Sequence, residues 1–274
     1  MSVELVVLVE NTAAREGLVT EHGLSVHLSG AGRALLFDTA ASPQALRANA
    51  SALSIDLAAV EAVIISHGHS DHTGGLPAVL SARPGLTVYA HPAAFAQRWA
   101  ARPGKPQREI GWRTSPAELA DQGARFVPVE APCRLGQDLL ISGPIPGPQP
   151  PLDHFLVRDG RQLVADTFRD ELFLMIRGAA GWAVLTGCCH RGLPNTLRLA
   201  RELAGGEPIR MVLGGFHLCR ADAESLAEAA AALAEADPEL VYACHCTGRA
   251  GREYLARRLP GRVRALSGGM RISL

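Results

Sequence analysis

A histidine-rich segment directly after a short apolar run limits the possible folds of this chain more than any other part of its sequence. Residues 61–66 are rich in Val and Ile and predict a buried strand. The residues His-Gly-His-Ser-Asp-His follow at once, and the glycine permits a tight turn. In such a loop His67 and His69 can point at one cation, while Asp71 and His72 reach a second cation nearby.

These side chains are of the types that bind transition metals. Neutral imidazoles and a carboxylate suit Zn²⁺, Mn²⁺ and Fe, whereas a Ca²⁺ site requires more oxygen ligands. The alternative is a polar loop of exposed histidines, but the spacing favours a metal site. We therefore expect one or two divalent metals, with zinc as the first choice and manganese or iron as alternatives.

The loop alone cannot complete the coordination of two metals, so further ligands must come from elsewhere in the chain. The second half offers His190, His217 and His245, each at or just past the end of a predicted strand. His190 and His245 are the preferred ligands. His217 is expected either beside the ligands or in contact with substrate, and it joins Asp71 as a candidate catalytic residue.

Strands and helices are mixed along both halves of the chain, which indicates an α/β (α+β) fold. Apolar runs predict strands at residues 3–9, 25–28, 34–37, 61–66, 86–90, 124–129, 138–142, 155–158, 172–177, 182–185, 210–213, 240–243, 263–266 and 270–274. Helices are predicted from near residue 75 and at residues 43–53, 91–101, 194–203, 222–236 and 251–259. We expect two mixed sheets packed together in one domain of residues 1–274, with helices outside and the site at one rim.

Composition excludes several classes of function. The 274 residues carry 27 basic and 27 acidic side chains, so no overall charge attracts the chain to nucleic acid or to an anionic membrane. No apolar run approaches the roughly 18 residues of a membrane span, and the first residues lack the features of a secretion signal. We expect a cytoplasmic protein that acts on a small, anionic molecule, and a homodimer is left open.

Two groups of motifs carry a family resemblance. Asp38 in LLFDTA and the segment IISHGHSDHTGGL resemble the metallo-β-lactamase superfamily of binuclear metallohydrolases. The motifs LVENT, EHGLS, LTGCCHRGLPNT, VLGGFHL and HCTG resemble its branch labelled 7,8-dihydropterin-6-methyl-4-(β-D-ribofuranosyl)aminobenzene-5′-phosphate synthase. The resemblance covers essentially the whole chain, and it implies an αββα sandwich with the metal site at the rim between the two sheets.

The resemblance also implies how the ligands are divided. Each metal would be held by two side chains of the loop and one late histidine: the first by His67, His69 and His190, the second by Asp71, His72 and His245. An aspartate usually bridges both metals, but this chain has Cys188 at the matching position. Cys188 either replaces that aspartate as a thiolate or lies beside a site weakened to one metal. Asp38 is expected to orient a loop histidine.

Two further cysteines near the predicted site are assigned to the core. Cys244 and Cys246 flank His245 and alternate away from it along an extended segment, so both are expected to face the apolar interior. The sequence has no Cys-x₂-Cys pair of the kind that indicates a separate structural zinc site.

Three functions remain open from the sequence. In a metal-dependent hydrolase, bound water with a pKa of about 7 would attack a phosphoryl or acyl centre. The candidates to hold the substrate are Arg191 and three residues of the polar segment 102–114, which is predicted to be a loop: Lys105, Arg108 and Trp112. In a synthase of methanopterin-type biosynthesis, a dihydropterin diphosphate would lose diphosphate as an arylamine attacks carbon. A non-catalytic sensor of metal or ligand is the third, and the missing bridging aspartate favours it.

Overall fold

The computed structural model describes residues 3–30, 33–150, 152 and 154–274. The α/β fold class is confirmed, and strands make up most of the regular structure. The strands in chain order are β1 (Glu4–Val9), β2 (Ser25–Gly30), β3 (Arg33–Phe37), β4 (Ala62–Ile64), β5 (Thr87–Ala90), β6 (Arg98–Ala100), β7 (Arg108–Glu109), β8 (Arg125–Pro128), β9 (Cys133–Arg134), β10 (Leu139–Ile141), β11 (Phe155–Asp159), β12 (Gln162–Ala165), β13 (Phe173–Gly178), β14 (Gly181–Thr186), β15 (Ile209–Gly215), β16 (Leu240–Cys244), β17 (Val263–Ala265) and β18 (Arg271–Ser273).

Several of the helices begin or end at residues that cap them. They are α1 (Pro43–Ala52), α2 (Ser70–Thr73), α3 (Leu76–Ala82), α4 (Pro116–Asp121), α5 (Leu193–Ala204), α6 (Ala223–Ala236) and α7 (Gly248–Arg258), with 3-10 turns at Leu57–Ala59, Pro92–Phe95 and His245–Thr247. The side chain of Ser42 accepts a hydrogen bond from the backbone of Ala45 at the start of α1, as predicted, and Gly205 ends α5 with a φ of 61°. Among the described helices, none is long and apolar enough to cross a membrane.

Two seven-stranded sheets form the centre of the protein. The first has the order β18-β1-β2-β3-β4-β5-β8, and the second has the order β17-β16-β15-β14-β13-β10-β9. Both are mixed: the pairs from β3 to β8 in the first sheet and from β14 to β17 in the second are parallel, while the others are antiparallel. A smaller sheet of four strands, β12-β11-β6-β7, lies beside the histidine loop through a bridge between His69 and Gly111.

Alternating burial along the strands shows why the layers form. In β1, Leu5 and Val7 belong to the cluster between the two sheets, whereas Val6 and Leu8 belong to the cluster beneath α1 and α3. A third cluster packs the second sheet against α5, α6 and α7. Because each sheet is covered on both faces, its strands are continuous apolar runs. The αββα sandwich that the resemblance implied is confirmed.

One predicted helix is wrong. Residues 91–101 form a 3-10 turn and strand β6, which pairs with β11. Phe95 and Trp99 are four residues apart, as on one face of a helix, but they pack against different partners: Phe95 stacks on Trp112, and Trp99 lies under Arg158. The adjoining segment 102–114, predicted as a loop, includes the two-residue strand β7.

Candidate metal centre

The candidate site lies at the carboxyl ends of parallel strands from both sheets, where open α/β sheets commonly bind ligands. Backbone strain is concentrated there: Asp38, Cys189, His217 and His245 have φ values between 49° and 57°. For a residue with a side chain this conformation costs about 1–3 kcal/mol and is typical of functional sites. The strained turns direct side chains from β3, β14, β15 and β16 toward one place.

Three buried histidines form the first group. One ring nitrogen each of His67, His69 and His190 lies within 4.8 Å of the others, and each residue is at most 5% exposed. Burial is the main cause that lowers the pKa of all three, so their rings are neutral. The Nε2 atoms of His67 and His69 are buried without a hydrogen-bond partner among the described residues. Free lone pairs of this kind fit a metal cation.

Cys188 occupies the middle of a second group. Its Sγ lies 3.3 Å from Nε2 of His72, and it lies within 4.8 Å of ligand atoms of His67, His190 and His245. Asp71 joins from the loop, with Oδ2 3.4 Å from Nε2 of His245 and 3.9 Å from Nε2 of His72. The structure therefore brings together all the side chains that the sequence predicted as metal ligands: His67, His69, Asp71, His72, Cys188, His190 and His245.

His72 and Asp71 differ electrostatically from the first group. Burial alone lowers the pKa of His72, but the carboxylates of Asp38 and Asp71 outweigh it and raise the pKa to about 9. Burial alone raises the pKa of Asp71, but His72 and His245 outweigh it and hold the pKa well below its usual range. A cation at His72 must therefore displace a proton that these carboxylates stabilise.

Asp38 connects the histidines at the two ends of the loop. Its Oδ2 lies 2.6 Å from Nδ1 of His72, one of the loop histidines that Asp38 was expected to orient. The hydroxyl of Ser66 donates to the same carboxylate at 2.7 Å and lies 2.8 Å from Nδ1 of His67. Such contacts fix the tautomer and orientation of each ring.

Sequence reasoning missed the partners of the later histidines. Glu171 accepts a hydrogen bond from the backbone of His190 at 2.7 Å, and its Oε1 lies 3.0 Å from Nδ1 of that ring. Asn11 Oδ1 lies 3.1 Å from Nδ1 of His245, and Glu10 accepts from the backbone of His245 at 2.7 Å. Glu10 and Asn11 belong to the LVENT motif, which was a signal, whereas nothing local distinguished Glu171.

A buried ion-pair network supports the histidine loop. Arg98, which is 2% exposed, donates to Asp166 at 2.6 Å and to Asp170 at 2.7 Å. Asp170 in turn accepts from the backbone of Gly68 at 2.8 Å. A Cβ at Gly68 would lie 1.9 Å from the carbonyl oxygen of Ala94, so only glycine fits there. The network thus fixes the backbone of the histidine loop at Gly68.

His22 of the EHGLS motif is a further side chain at the site that was not predicted. Its Nε2 lies 3.3 Å from Oδ2 of Asp71, and its ring stacks on His245 with 4.6 Å between the centroids. Burial and then the neighbouring His245 lower its pKa, although its side chain is 62% exposed. His22 therefore lies at the edge of the site that faces solvent.

Comparison with known proteins agrees with this geometry. The family model described as the metallo-beta-lactamase superfamily matches residues 21–178, more than half of the chain. The chain belongs to the metallo-β-lactamase superfamily. The matched residues include the whole histidine loop but end before His190, His217 and His245.

Relatives within the superfamily are named for different activities. A protein of Methanocaldococcus jannaschii named 7,8-dihydropterin-6-methyl-4-(beta-D-ribofuranosyl)-aminobenzene-5'-phosphate synthase is 29% identical over 84% of this chain and 82% of its own length, which confirms the resemblance to that branch. The crystal structure of Tm1679, described as a metal-dependent hydrolase of the beta-lactamase superfamily, is 30% identical and covers 98% of both chains with a TM-score of 0.84. Zinc-bound PqqB from Methylobacterium extorquens shares the fold, with 16% identity and a TM-score of 0.58 over 99% of this chain and 100% of its own.

One cysteine of this superfamily member does not lie where it was expected. Cys244 packs between the sheets, as predicted, but Cys246 turns toward the site, where its Sγ lies within 4.8 Å of ligand atoms of Cys188 and His245. The prediction assumed regular alternation, which the positive φ of His245 interrupts. Burial alone raises the pKa of Cys246, but contacts with Cys188, His217 and His245 outweigh it and hold the pKa well below its ordinary value.

A cavity of about 430 Å³ opens beside the metal centre. His190 and His217 line it together with the basic side chains of Arg102, Lys105 and Arg220. Nδ1 of His217 and Nε of Arg102 are buried without a partner among the described residues. Apolar side chains complete the lining, among them Leu152, Phe216 and Leu218. The lining also includes the acidic side chains of Asp222 and Glu228, so basic side chains exceed acidic ones by one. The unpartnered Nε of Arg102, this excess of positive charge and the apolar walls fit an anionic ligand with an apolar part.

The residues predicted to hold a substrate lie in different places. Lys105 lines the cavity, but Arg108 lies on strand β7 and is not part of the lining. Trp112 is buried against an aromatic neighbour at 4.4 Å between ring centroids. Arg191 donates to carbonyl groups of the proline-rich segment 143–151, so its guanidinium holds that loop. The side chains of Trp112 and Arg191 are thus held by contacts within the fold, whereas the side chain of Arg108 is exposed.

Proposed function

We propose that the protein is a metal-dependent hydrolase, with zinc as the first metal, that cleaves a phosphoryl or acyl bond in a small, anionic substrate. The observation that carries the proposal is the convergence of His67, His69 and His190 beside a cavity with basic side chains. Two of these imidazoles have buried, unpartnered Nε2 atoms, which a cation would satisfy. The similarity to a metal-dependent hydrolase along nearly the whole chain supports the same conclusion.

The donor set fits two metals. Three imidazoles would hold the first, and a carboxylate, two imidazoles and a thiol would hold the second: His67, His69 and His190, then Asp71, His72, His245 and Cys188. When bound, such metals lower the pKa of coordinated water to about 7 and polarise an oxygen of the substrate. Imidazole and thiolate ligands favour zinc over manganese.

The residues of the chain then have separate tasks. Asp38 and Glu171 keep His72 and His190 in position through their Nδ1 atoms. The basic side chains of the cavity bind the anionic group of the substrate, and the apolar walls exclude water from it. Nδ1 of His217 has no hydrogen-bond partner in the described part of the chain, and its ring lies 4.6 Å from that of His190, so it can hydrogen-bond the part of the substrate nearest the metals.

Chelation and one substitution test the proposal. A panel of phosphodiesters, phosphomonoesters, thioesters and lactones is assayed with zinc-loaded protein, before and after removal of the metal. His69→Ala removes one imidazole, and because loss of a mere orienting partner already costs about 10–100-fold, we expect turnover to fall by more than about 100-fold. His27→Gln is the matched control, since His27 is equally buried but lies on β2 outside the centre. Less than about half an equivalent of metal per chain, or turnover that survives chelation, would contradict the proposal.

The 29% identity to the M. jannaschii synthase favours a second candidate function. In that case the cavity would hold a dihydropterin diphosphate, and diphosphate would leave as an arylamine attacks carbon. Release of diphosphate only when pterin substrate and arylamine are both present supports the synthase, whereas hydrolysis without arylamine supports the hydrolase. Metal uptake without either reaction would favour the third possibility, a non-catalytic sensor of metal or ligand.

A further inference from the structure

Cys188 lies between the two ligand groups of the candidate metal centre, and Cys246 adds a second sulfur atom beside His245. We infer that Cys188 and Cys246, together with His245, form a soft subsite that selects a thiophilic divalent cation such as Zn²⁺ or Cd²⁺ over Mn²⁺. The inference rests on the metal centre of the proposed function and adds Cys246, which the division of ligands implied by the family does not include.

The three ligand atoms converge in the structure. Both Sγ atoms and a ring nitrogen of His245 lie within 4.8 Å of one another, and the exposures of Cys188, Cys246 and His245 are 3%, 7% and 5%. Ligand atoms that share a tetrahedral zinc are about 3.3–3.8 Å apart, given Zn–S bonds of about 2.3 Å and Zn–N bonds of about 2.0 Å. Small side-chain rotations therefore suffice to close the set around one ion.

The backbone around Cys246 admits its thiol into the site. A Cβ at Gly215 would lie 2.7 Å from the Sγ of Cys246, so the glycine leaves the space that the sulfur occupies. The backbone N–H of His217 donates to that sulfur at 3.3 Å, a polar contact that suits a thiolate. His245, with a φ of 51°, turns the chain so that its own ring and the next thiol reach the same place.

Two neighbouring cysteines provide an internal comparison. Cys189 follows Cys188 directly, and Cys244 lies two residues before Cys246, yet both pack within apolar clusters. These two behave as the small, apolar side chains that buried free cysteines usually are. Cys188 and Cys246 instead lie among histidines, which is the arrangement of thiols that bind metal.

The chemistry of the donors sets the preference for the cation. Thiolates bind zinc, cadmium and other soft or borderline ions, whereas manganese prefers oxygen ligands. As the metal–sulfur bond to the thiol of Cys188 forms, its S–H bond breaks and the proton passes to solvent. The group of His67, His69 and His190 has only Cys188, which lies between the two groups, as a sulfur neighbour among the described residues, so its preference for a soft cation is weaker.

Titration of the metal-free protein with Co²⁺ tests the subsite without any measurement of turnover. We expect a sulfur-to-cobalt charge-transfer band in the near ultraviolet. Cys246→Ser should reduce that band by about half, and the double variant with Cys188→Ser should remove it, because sulfur ligands alone produce it. Cys244→Ser and Cys189→Ser are the matched controls and should leave the band unchanged.

The outcomes separate the subsite from the metal centre as a whole. A band of full size in Cys246→Ser, or an equal loss in Cys244→Ser, would overturn the subsite and leave the proposed function standing. Wild-type protein that takes up no cobalt would contradict the proposed function itself. Should Cys246→Ser fail to fold, cadmium NMR of the loaded wild-type protein decides: we expect one resonance typical of two sulfur ligands, and resonances typical of one or none would overturn the inference.

Discussion

The two halves of the chain supply the metal centre in different ways. In the first half, which precedes His154, residues 67–72 provide their ligands from one loop. The backbone of Gly68 in this loop donates to Asp170 of the second half, which in turn pairs with Arg98. In the second half, the candidate ligands come from separate strand ends, after β14 and β16. A loop of consecutive residues depends on few neighbours, whereas ligands on separate strands depend on the order of the whole sheet.

The chemistry of the donors follows the same division. The first half contributes nitrogen and oxygen only, and both sulfur atoms of the candidate site come from the second half. The matched family model contains the loop but none of the second-half donors. The two halves therefore differ in the donors that they offer a metal, although each of the two ligand groups includes side chains from both halves.

The largest expected effect concerns the support beneath the first-half loop. Arg98→Met would leave Asp166 and Asp170 buried without their cation, and breaking a buried ion pair costs about 3–5 kcal/mol. We expect the free energy of unfolding of the metal-free protein to fall by about this amount in urea titrations, and the protein to lose metal at the loop.

Arg177→Met is the control for this experiment. Arg177 pairs with Glu207 at 2.7 Å, but both side chains are more than a third exposed, so the loss should be less than about 1 kcal/mol. Equal losses of unfolding free energy in Arg98→Met and Arg177→Met would show that the buried network does not stabilise the loop. The loop would then not be supported differently from the ligands of the second half.

These differences explain how much of the fold was predictable. Strands such as β1 and β14 are buried on both faces, so they are continuous apolar runs that the sequence displays directly. The strands β6 and β7 are three and two residues long; β6 pairs with β11, which is more than 40 residues away in the chain, and β7 pairs only with β6 among the described strands. No local pattern can indicate such strands, and the residues around them were predicted instead as a helix and a loop.

The candidate site shows the same limit. The histidine loop was predictable because its donors are adjacent in sequence, and Asp38 because its motif resembles the family's. The role of Glu171 was not predictable, since Glu171 lies 19 residues from His190 in the chain. The two residues meet only because the end of β14 pairs with the start of β13. Cys246 was assigned to the core because alternation was assumed across His245, whose positive φ has no signature in the residue itself.

The next effect in size is a pH dependence that separates His72 from its neighbours. The raised pKa of His72, about 9, means that its contribution to stability is complete below its ordinary pKa of 6.5 and is lost as pH rises through about 9. Burial lowers the pKa of His67 and His69, so the unfolded chain binds their protons more readily and stability is lost as pH falls below 6.5. We expect the metal-free protein to be most stable near pH 6.5, with a loss of at most about 3 kcal/mol on the alkaline side.

Urea titrations of metal-free protein at several pH values measure both sides of this profile. In His72→Gln the alkaline decline should disappear and the acidic decline should remain. If His72→Gln retains the alkaline decline in stability, another titrating group causes it. The raised pKa would then no longer distinguish His72 from the other histidines of the loop.

A smaller effect is expected at the orienting carboxylate of the second half. Glu171→Gln keeps the size of the side chain but removes the charge that faces Nδ1 and the backbone N–H of His190. Loss of such a partner weakens metal binding by about 10–100-fold, which competition with a chromogenic chelator measures. Asp38→Asn is the corresponding change in the first half, and Glu207→Gln, on an exposed pair, should have no effect. Weakening in Asp38→Asn alone would show that strand order by itself positions the second-half ligands.

The smallest effect is expected at His22, where the first half reaches across to the second. Its ring stacks on His245 and its Nε2 contacts Asp71, but a side chain that is 62% exposed gains little from such contacts because water screens them. His22→Phe preserves the stacking and removes the contact, so we expect stability to change by less than about 1 kcal/mol and metal affinity to change by less than about 5-fold. The chelator competition used for Glu171 measures this. A loss of about 100-fold would instead place His22 among the metal ligands. The first half would then supply a ligand from outside the loop 67–72, just as the second half supplies its ligands from separate segments.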